Sequence, residues 1–299
     1  MSNTFEGTFA ALYSPMTGSG ALDETGLRAL CARLVNAGVS LVPCGTTGET
    51  PTLSVEERER VVSIAIEVAS GQVPVLVGTG SNDTATAIEA TKRAAALGAD
   101  GALVVTPYYN KPPQGALVSH FTQVADEGDL PVILYNVPGR TSCALTADTI
   151  LELAEHPRIV GVKEASADLD LFQTLLNESP DGFSILSGDD AWTAPVMLLG
   201  AHGVVSVAAN VVPRAMSMLV QSATNGDLKR TRRLQSALLP LFRALFCTTN
   251  PIPVKRAAEM MGHAQRHLRM PLTAEALTAS MVSDLETALE TARAVGEDQ

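Results

Sequence analysis

Lys163 is the residue of this chain with the clearest chemical potential. It stands inside Ile159-Val160-Gly161-Val162-Lys163-Glu164-Ala165, an apolar run with the length and β-branched content of a buried parallel strand. An ammonium there is costly, because burial disfavours the charged form and an isolated interior charge needs a partner. A desolvated lysine is neutral more often near pH 7, and a neutral amine can attack a ketone carbon to form a Schiff base. The plainer alternative is a lysine at the strand end that snorkels outward or pairs with Glu164. Both readings stand on this segment alone.

Holding such a lysine in place requires a sheet, and similar apolar runs recur at residues 8–13, 41–44, 73–77, 102–106, 132–135, 183–186 and 204–207. Helical periodicity fills the intervals. Ser54-Val55-Glu56-Glu57 predicts a capped helix start with its end near Gly71, and the alanine-rich segment from Thr84 to Leu97 should stop at Gly98. Strands alternating with helices imply parallel pairing through right-handed crossovers, and eight such units predict an α/β fold of the (β/α)₈ or TIM barrel type. The expected division places the barrel strands, their helices and the active site in residues 1–210. The last barrel helix and a C-terminal helical extension then occupy 211–299, with Asn250-Pro251-Ile252-Pro253 as a turn between helices. A doubly wound open sheet is the competitor. Its dinucleotide-binding members carry Gly-x-Gly-x-x-Gly after the first strand, where this chain runs into Ser14-Pro15-Met16-Thr17.

Composition narrows the function classes. With 46% hydrophobic and 18% charged residues in 299, the chain has material for a large core, and disorder is excluded as its main state. A formal net charge of −11 and the lack of a basic patch argue against a nucleic-acid partner. No apolar stretch approaches the ~20 residues of a membrane span, and Met1-Ser2-Asn3-Thr4-Phe5-Glu6 lacks a signal-peptide pattern. Cys31, Cys44, Cys143 and Cys247 form no Cys-x-x-Cys pair, which reads as reduced thiols in a cytoplasmic protein. His263 and His267 are spaced to share a helix face, but no third ligand accompanies them, and no metal is expected.

In a barrel the C-terminal strand ends converge on one mouth, where the chemistry of this architecture is found. Here those ends carry Thr46-Thr47, Thr106 with Tyr108-Tyr109, Tyr135-Asn136, Lys163-Glu164, Ser187-Gly188-Asp189-Asp190, and Ser206 with Asn210, whereas the opposite ends hold mostly Gly, Pro, Ala and Asp. That asymmetry favours the chemical reading of Lys163. Tyr135 could move a proton, or be a rim aromatic bonded to backbone. Thr46 and Thr47, in Gly45-Thr46-Thr47-Gly48-Glu49, could offer a carboxylate hydroxyl and backbone donors, or simply stabilise the turn. Arg140 could clamp a carboxylate with two parallel bonds, or be a solvated loop residue. Cys143 has no histidine nearby in sequence and is read as packing.

Four segments together resemble the pyruvate-dependent class I aldolase family: Gly45-Thr46-Thr47-Gly48-Glu49, Thr106-Pro107-Tyr108-Tyr109-Asn110, Tyr135-Asn136-Val137-Pro138-Gly139-Arg140-Thr141 and Gly161-Val162-Lys163-Glu164-Ala165. The similarity continues through Leu186-Ser187-Gly188-Asp189-Asp190, Gly203-Val204-Val205-Ser206-Val207 and Asn250-Pro251-Ile252-Pro253-Val254-Lys255, in order along nearly the whole chain. The resemblance implies that Lys163 forms the Schiff base with pyruvate. It makes Tyr135 the proton donor and acceptor, linked to solvent through Thr46 and Tyr109, with Tyr109 reaching into a neighbouring subunit's site. Thr47 and the main chain of Val205 resemble pyruvate-binding positions, Gly188 lies with the substrate-binding group, and Arg140 resembles the residue that receives the carboxylate of aspartate semialdehyde. The branch most similar to this chain condenses those two substrates on the lysine pathway, without metal or organic cofactor, and usually as a homotetramer. Sialic-acid lyases of the same family show Ser-Thr where Thr46-Thr47 stands and lack an arginine at Arg140. A barrel that only binds a keto acid is the alternative of another class, which the presence of Lys163, Tyr135, Thr46 and Tyr109 does not favour. Lysine-inhibited relatives carry histidine and glutamate where Arg58 and Thr86 align, so feedback by lysine is expected to be weak or absent.

Overall fold

The computed structural model describes residues 5–297, so Met1–Thr4 of the N-terminal reading and residues 298–299 of the expected tail lie outside the described residues. Eight strands carry the fold: β1 (Gly7–Ala11), β2 (Ser40–Val42), β3 (Leu76–Gly78), β4 (Gly101–Val105), β5 (Val132–Asn136), β6 (Ile159–Glu164), β7 (Ser184–Ser187) and β8 (Gly203–Ser206). They run parallel in the order β2-β1-β8-β7-β6-β5-β4-β3. A parallel bridge from Leu41 to Val75 joins the two ends and closes the barrel. The third strand is shorter than its apolar run at 73–77 suggests. Pro74 has no N–H to give, so only its carbonyl takes part, accepting from Leu41 N at 3.0 Å.

The helices are α1 (Glu24–Val35), α2 (Val55–Ala69), α3 (Thr84–Leu97), α4 (Gln114–Glu127), α5 (Pro138–Thr141), α6 (Ala147–Ala154), α7 (Leu169–Glu178), α8 (Thr193–Leu198), α9 (Pro213–Thr224), α10 (Leu228–Ala244), α11 (Ile252–Met260) and α12 (Ala279–Glu297). Their starts follow the residues expected. Ser54 and Glu57 form a reciprocal capping box, Glu57 N donating to Ser54 Oγ and Ser54 N to the Glu57 carboxylate, and Gly98 ends α3 in the left-handed conformation at φ +94°. The helix expected to carry His263 and His267 on one face stops at Met260, so their spacing has no helical meaning.

Two apolar layers follow from strand alternation. Leu134 and Val162 point outward to the helices, in a core with Leu27, Ile64, Phe121 and Leu153. Phe9, Val42, Leu76, Leu103, Ile133, Tyr135, Leu186 and Val205 fill the barrel interior. Register decides the fate of Lys163. Tyr135 pairs with Lys163 across β5 and β6, and because Val162 faces outward, Lys163 faces in with Tyr135. A Cβ on Gly161, two residues earlier on the same face, would lie 2.4 Å from Ser184 O and 2.8 Å from Ile133 Cδ1. The absence of a side chain there leaves the interior to its neighbours.

Candidate active site

Lys163 is 6% exposed, and its Nζ lies 3.9 Å from the centroid of the Tyr135 ring. Neither structural alternative for this lysine is realised. Glu164 faces the other side of the sheet, where its carboxylate accepts from Asn136 Nδ2 at 2.7 Å and Ser166 N at 2.5 Å. Burial pushes the Glu164 carboxyl above the usual range, with those hydrogen bonds opposing it. Among the described residues Lys163 forms no ion pair. Its amine opens instead onto a cavity of about 120 Å³ at the C-terminal mouth of the barrel, lined by Thr46, Thr47, Tyr135, Arg140, Gly188 and Asn250 among others.

Most of the lining groups are placed by strand ends or the turns that follow them. Lys163 and Tyr135 are the penultimate residues of β6 and β5, and Gly188 follows β7 directly, its N–H donating to Glu164 O at 2.7 Å. A Cβ on Gly188 would sit 2.6 Å from Ala165 Cβ and 3.1 Å from Lys163 Cε, so glycine is what lets the β7 turn lie against the lysine. Thr46 and Thr47 form a single 3₁₀ turn after β2, bracketed by Cys44 at φ +59° and Glu49 at φ +54°. Two non-glycine residues in left-handed backbone around four residues are a strained arrangement, which persists only where the surroundings hold it. Asn250 Nδ2 donates to Thr47 Oγ1 at 2.8 Å, and the Glu49 carboxylate is paired with the fully buried Lys255. Arg140, on the short α5, is exposed at the rim.

Two expected residues are not brought into this cavity. Tyr109 is 89% exposed, at φ +74° in the loop after β4. Val205 lies in the barrel interior, while Val207, two residues further on, lines the cavity. Asn250 and Phe246, to which the sequence assigns no site role, approach the mouth from the segment between α10 and α11; in sequence Asn250 marks a turn and a segment of the family resemblance. The same holds for Lys255, a second buried lysine without an assigned role, whose pKa burial lowers and Glu49 raises. Only Lys163 of the two faces the cavity. Behind the wall, Asp190 Oδ2 accepts from Val207 N at 3.0 Å and Ala208 N at 2.9 Å, and burial pushes its pKa up to about 6.

The arrangement can form and protect an imine: a buried amine without a counter-ion, a phenol beside it, hydroxyls opposite, and a guanidinium at the opening. Comparison with known proteins agrees in extent as well as kind. The profile of the dihydrodipicolinate synthetase family matches residues 4–292. A Methanospirillum hungatei protein named 4-hydroxy-tetrahydrodipicolinate synthase is 50% identical over 272 residues, covering 90% of this chain and 93% of its own. A solved dihydrodipicolinate synthase from Acinetobacter baumannii, described as chloride inhibited and complexed with pyruvate, superimposes with a TM-score of 0.94 at 43% identity, covering 97% of this chain and 99% of its own. A monomeric dihydrodipicolinate synthase variant superimposes at 0.93 with 37% identity, covering 97% of each chain. A match along almost the entire chain, on a barrel whose mouth carries the expected lysine, shows that this protein belongs to the dihydrodipicolinate synthetase family.

Proposed function

We propose that the protein is a 4-hydroxy-tetrahydrodipicolinate synthase, condensing pyruvate with L-aspartate 4-semialdehyde through a Schiff base on Lys163. The observation that carries this is the Lys163 amine, buried without an ion-pair partner, against Tyr135, at the floor of a 120 Å³ cavity. The Lys163 nitrogen adds to the ketone carbon of pyruvate, and water leaves as the imine forms. The protonated imine draws electrons from the adjacent methyl group; loss of a methyl proton gives an enamine, whose carbon attacks the aldehyde. Tyr135 and Thr46 shuttle these protons, a role supported by their lining the same cavity as the Lys163 amine. Thr47, with its hydroxyl fixed by Asn250, is the binding group for the pyruvate carboxylate. Arg140 at the opening receives the carboxylate of the second substrate.

Tyr109 completes the relay from a neighbouring subunit of a homotetramer. Its exposure in the single chain supports this assignment. The four free cysteines support a cytoplasmic setting; among the described residues no helix is long and apolar enough to cross a membrane.

Borohydride reduction in the presence of pyruvate, followed by mass measurement of the Lys163 peptide, tests the imine. The peptide should gain one reduced pyruvate, and an unmodified peptide would refute the mechanism. Turnover of aspartate semialdehyde against cleavage of sialic acid tests the electrophile. Preference for the sugar would refute the substrate assignment while leaving the imine intact.

A further inference from the structure

The geometry points to the buried Glu49–Lys255 ion pair as a positioning device for the hydroxyls of Thr46 and Thr47, an inference that rests on the Schiff-base reading above. The Lys255 side chain is 0% exposed and that of Glu49 is 1% exposed, yet Lys255 is not among the residues lining the catalytic cavity. Its Nζ donates to one Glu49 oxygen and to His267 O at 2.8 Å, while Arg269 N donates to the other Glu49 oxygen at 3.0 Å. Glu49 is the residue that closes the turn: its own N–H donates to Thr46 O at 3.2 Å, and its left-handed backbone ends the 3₁₀ segment carrying both threonines. Five residues before Lys255, Asn250 holds the Thr47 hydroxyl. One C-terminal segment therefore grips the loop at its hydroxyl and at its closing residue, across more than two hundred residues of sequence.

Stability alone does not account for this pair. Desolvation of two buried charges offsets much of their attraction, and apolar residues of similar volume commonly serve a core as well or better. An ion pair differs from an apolar contact in fixing direction as well as distance. Direction matters here because the residue being held sits in a backbone region that a glutamate rarely adopts unaided.

The double variant Glu49→Gln/Lys255→Met tests the inference by removing both charges at nearly constant volume, so that no lone buried charge remains. Its melting temperature should stay close to that of the parent, and borohydride trapping should still reach the parent level at saturating pyruvate, because Lys163 is carried by β6, although more pyruvate is needed once the Thr47 hydroxyl is misplaced. Amide hydrogen exchange at residues 45–49 should quicken, and kcat for condensation should fall on the order of tenfold or more through misplaced hydroxyls. Unchanged loop exchange with kcat within about twofold would overturn the proposal. So would a common loss of melting temperature, trapping and kcat, which marks a purely structural pair. If the double variant does not fold, Lys255→Arg, which keeps the charge but alters its reach, is read by the same measurements. A parent that traps pyruvate but ignores aspartate semialdehyde would refute the substrate assignment only, since loop exchange still decides the role of the pair.

Discussion

A Cβ at Gly188 would fall 3.1 Å from Lys163 Cε, closer than side-chain carbons settle without something giving way. Neither neighbour can yield cheaply, because the other contacts are Ala165 Cβ at 2.6 Å and the Glu164 carbonyl at 3.0 Å, at and just past the end of the strand that carries the lysine. The Gly188→Ala variant is therefore expected to fold with a displaced amine and to trap pyruvate roughly 10- to 100-fold more slowly. Trapping at the parent rate would show that the close approach does not set the lysine's position. Arg140 offers the complementary case, because it is exposed at the opening of the cavity and not part of the strand that carries the imine. Losing its charge-assisted hydrogen bonds, worth about 1.5–3 kcal/mol, should raise KM for aspartate semialdehyde roughly 10- to 100-fold in Arg140→Ala, with pyruvate trapping unaltered. Lys163, Tyr135, Thr46, Thr47, Arg140 and Gly188 were legible because each ends a strand or follows one, where alternation and barrel topology dictate direction. Asn250 and Lys255 were not. They sit in and beside a Pro-rich helix start, and nothing local distinguishes an asparagine facing a cavity from one completing a turn.

At the scale of elements, the eight apolar runs became eight strands because a parallel sheet covered on both faces leaves little room for polar residues. Strand limits were less legible. The third run lost residues to Pro74, whose effect depends on which neighbour needs its N–H. Elements are also tied to one another through buried titratable groups, and two of these have opposite signs. Asp190 joins the turn after β7 to the amides after β8, and its pKa is raised from 3.8 to about 6. Its contribution is fully present below the unfolded value and is lost as pH rises through 6. The rise from 3.8 to about 6 bounds the effect at about 3 kcal/mol. His120, buried on α4 with Nδ1 against Thr84 Oγ1 at 2.9 Å, has its pKa lowered by burial from 6.5 to about 4. The neutral form is favoured in the fold, so its contribution is present above 6.5 and is lost as pH falls through 4. Between about pH 4.5 and 6 the two oppose each other. In urea unfolding across that window, Asp190→Asn should gain stability relative to the parent as pH rises, and His120→Gln should gain relative to the parent as pH falls. Parallel pH profiles for parent and variants would show that neither group titrates with folding.

The whole molecule carries two features that a single chain leaves unused. One is the cavity of about 350 Å³ between α2 and α3, lined by Val55, Arg58 and Thr86, where Arg58 Nη2 already donates to Thr50 O at 2.9 Å and Thr86 Oγ1 to Asp83 Oδ2 at 2.5 Å. Arg58 brings a cation to this cavity, Val55 is apolar, and the lining carboxylates Glu59 and Glu89 are already paired with Arg93, so steady-state activity should be insensitive to sub-millimolar lysine; inhibition there would contradict this. The other is Tyr109, an aromatic residue left 89% exposed beside Tyr108 at 41%. Large aromatics are normally withdrawn from water, and a paired exposure at a loop tip is what an intersubunit contact leaves when the partner is removed. If Tyr109 acts across subunits, activity should depend on assembly in a way that complementation can read. Tyr109→Ala lacks the relay, and Lys163→Ala lacks the nucleophile. When these two inactive or weak proteins are dissociated and reassembled together, a site with Lys163 from one subunit and Tyr109 from the other is intact. Activity should then rise well above the sum of the separate preparations, and sedimentation should show the mixed species to be an oligomer. No recovery in a verified mixed oligomer, or full activity in a parent that sediments as a monomer, would confine Tyr109 to a role within its own chain.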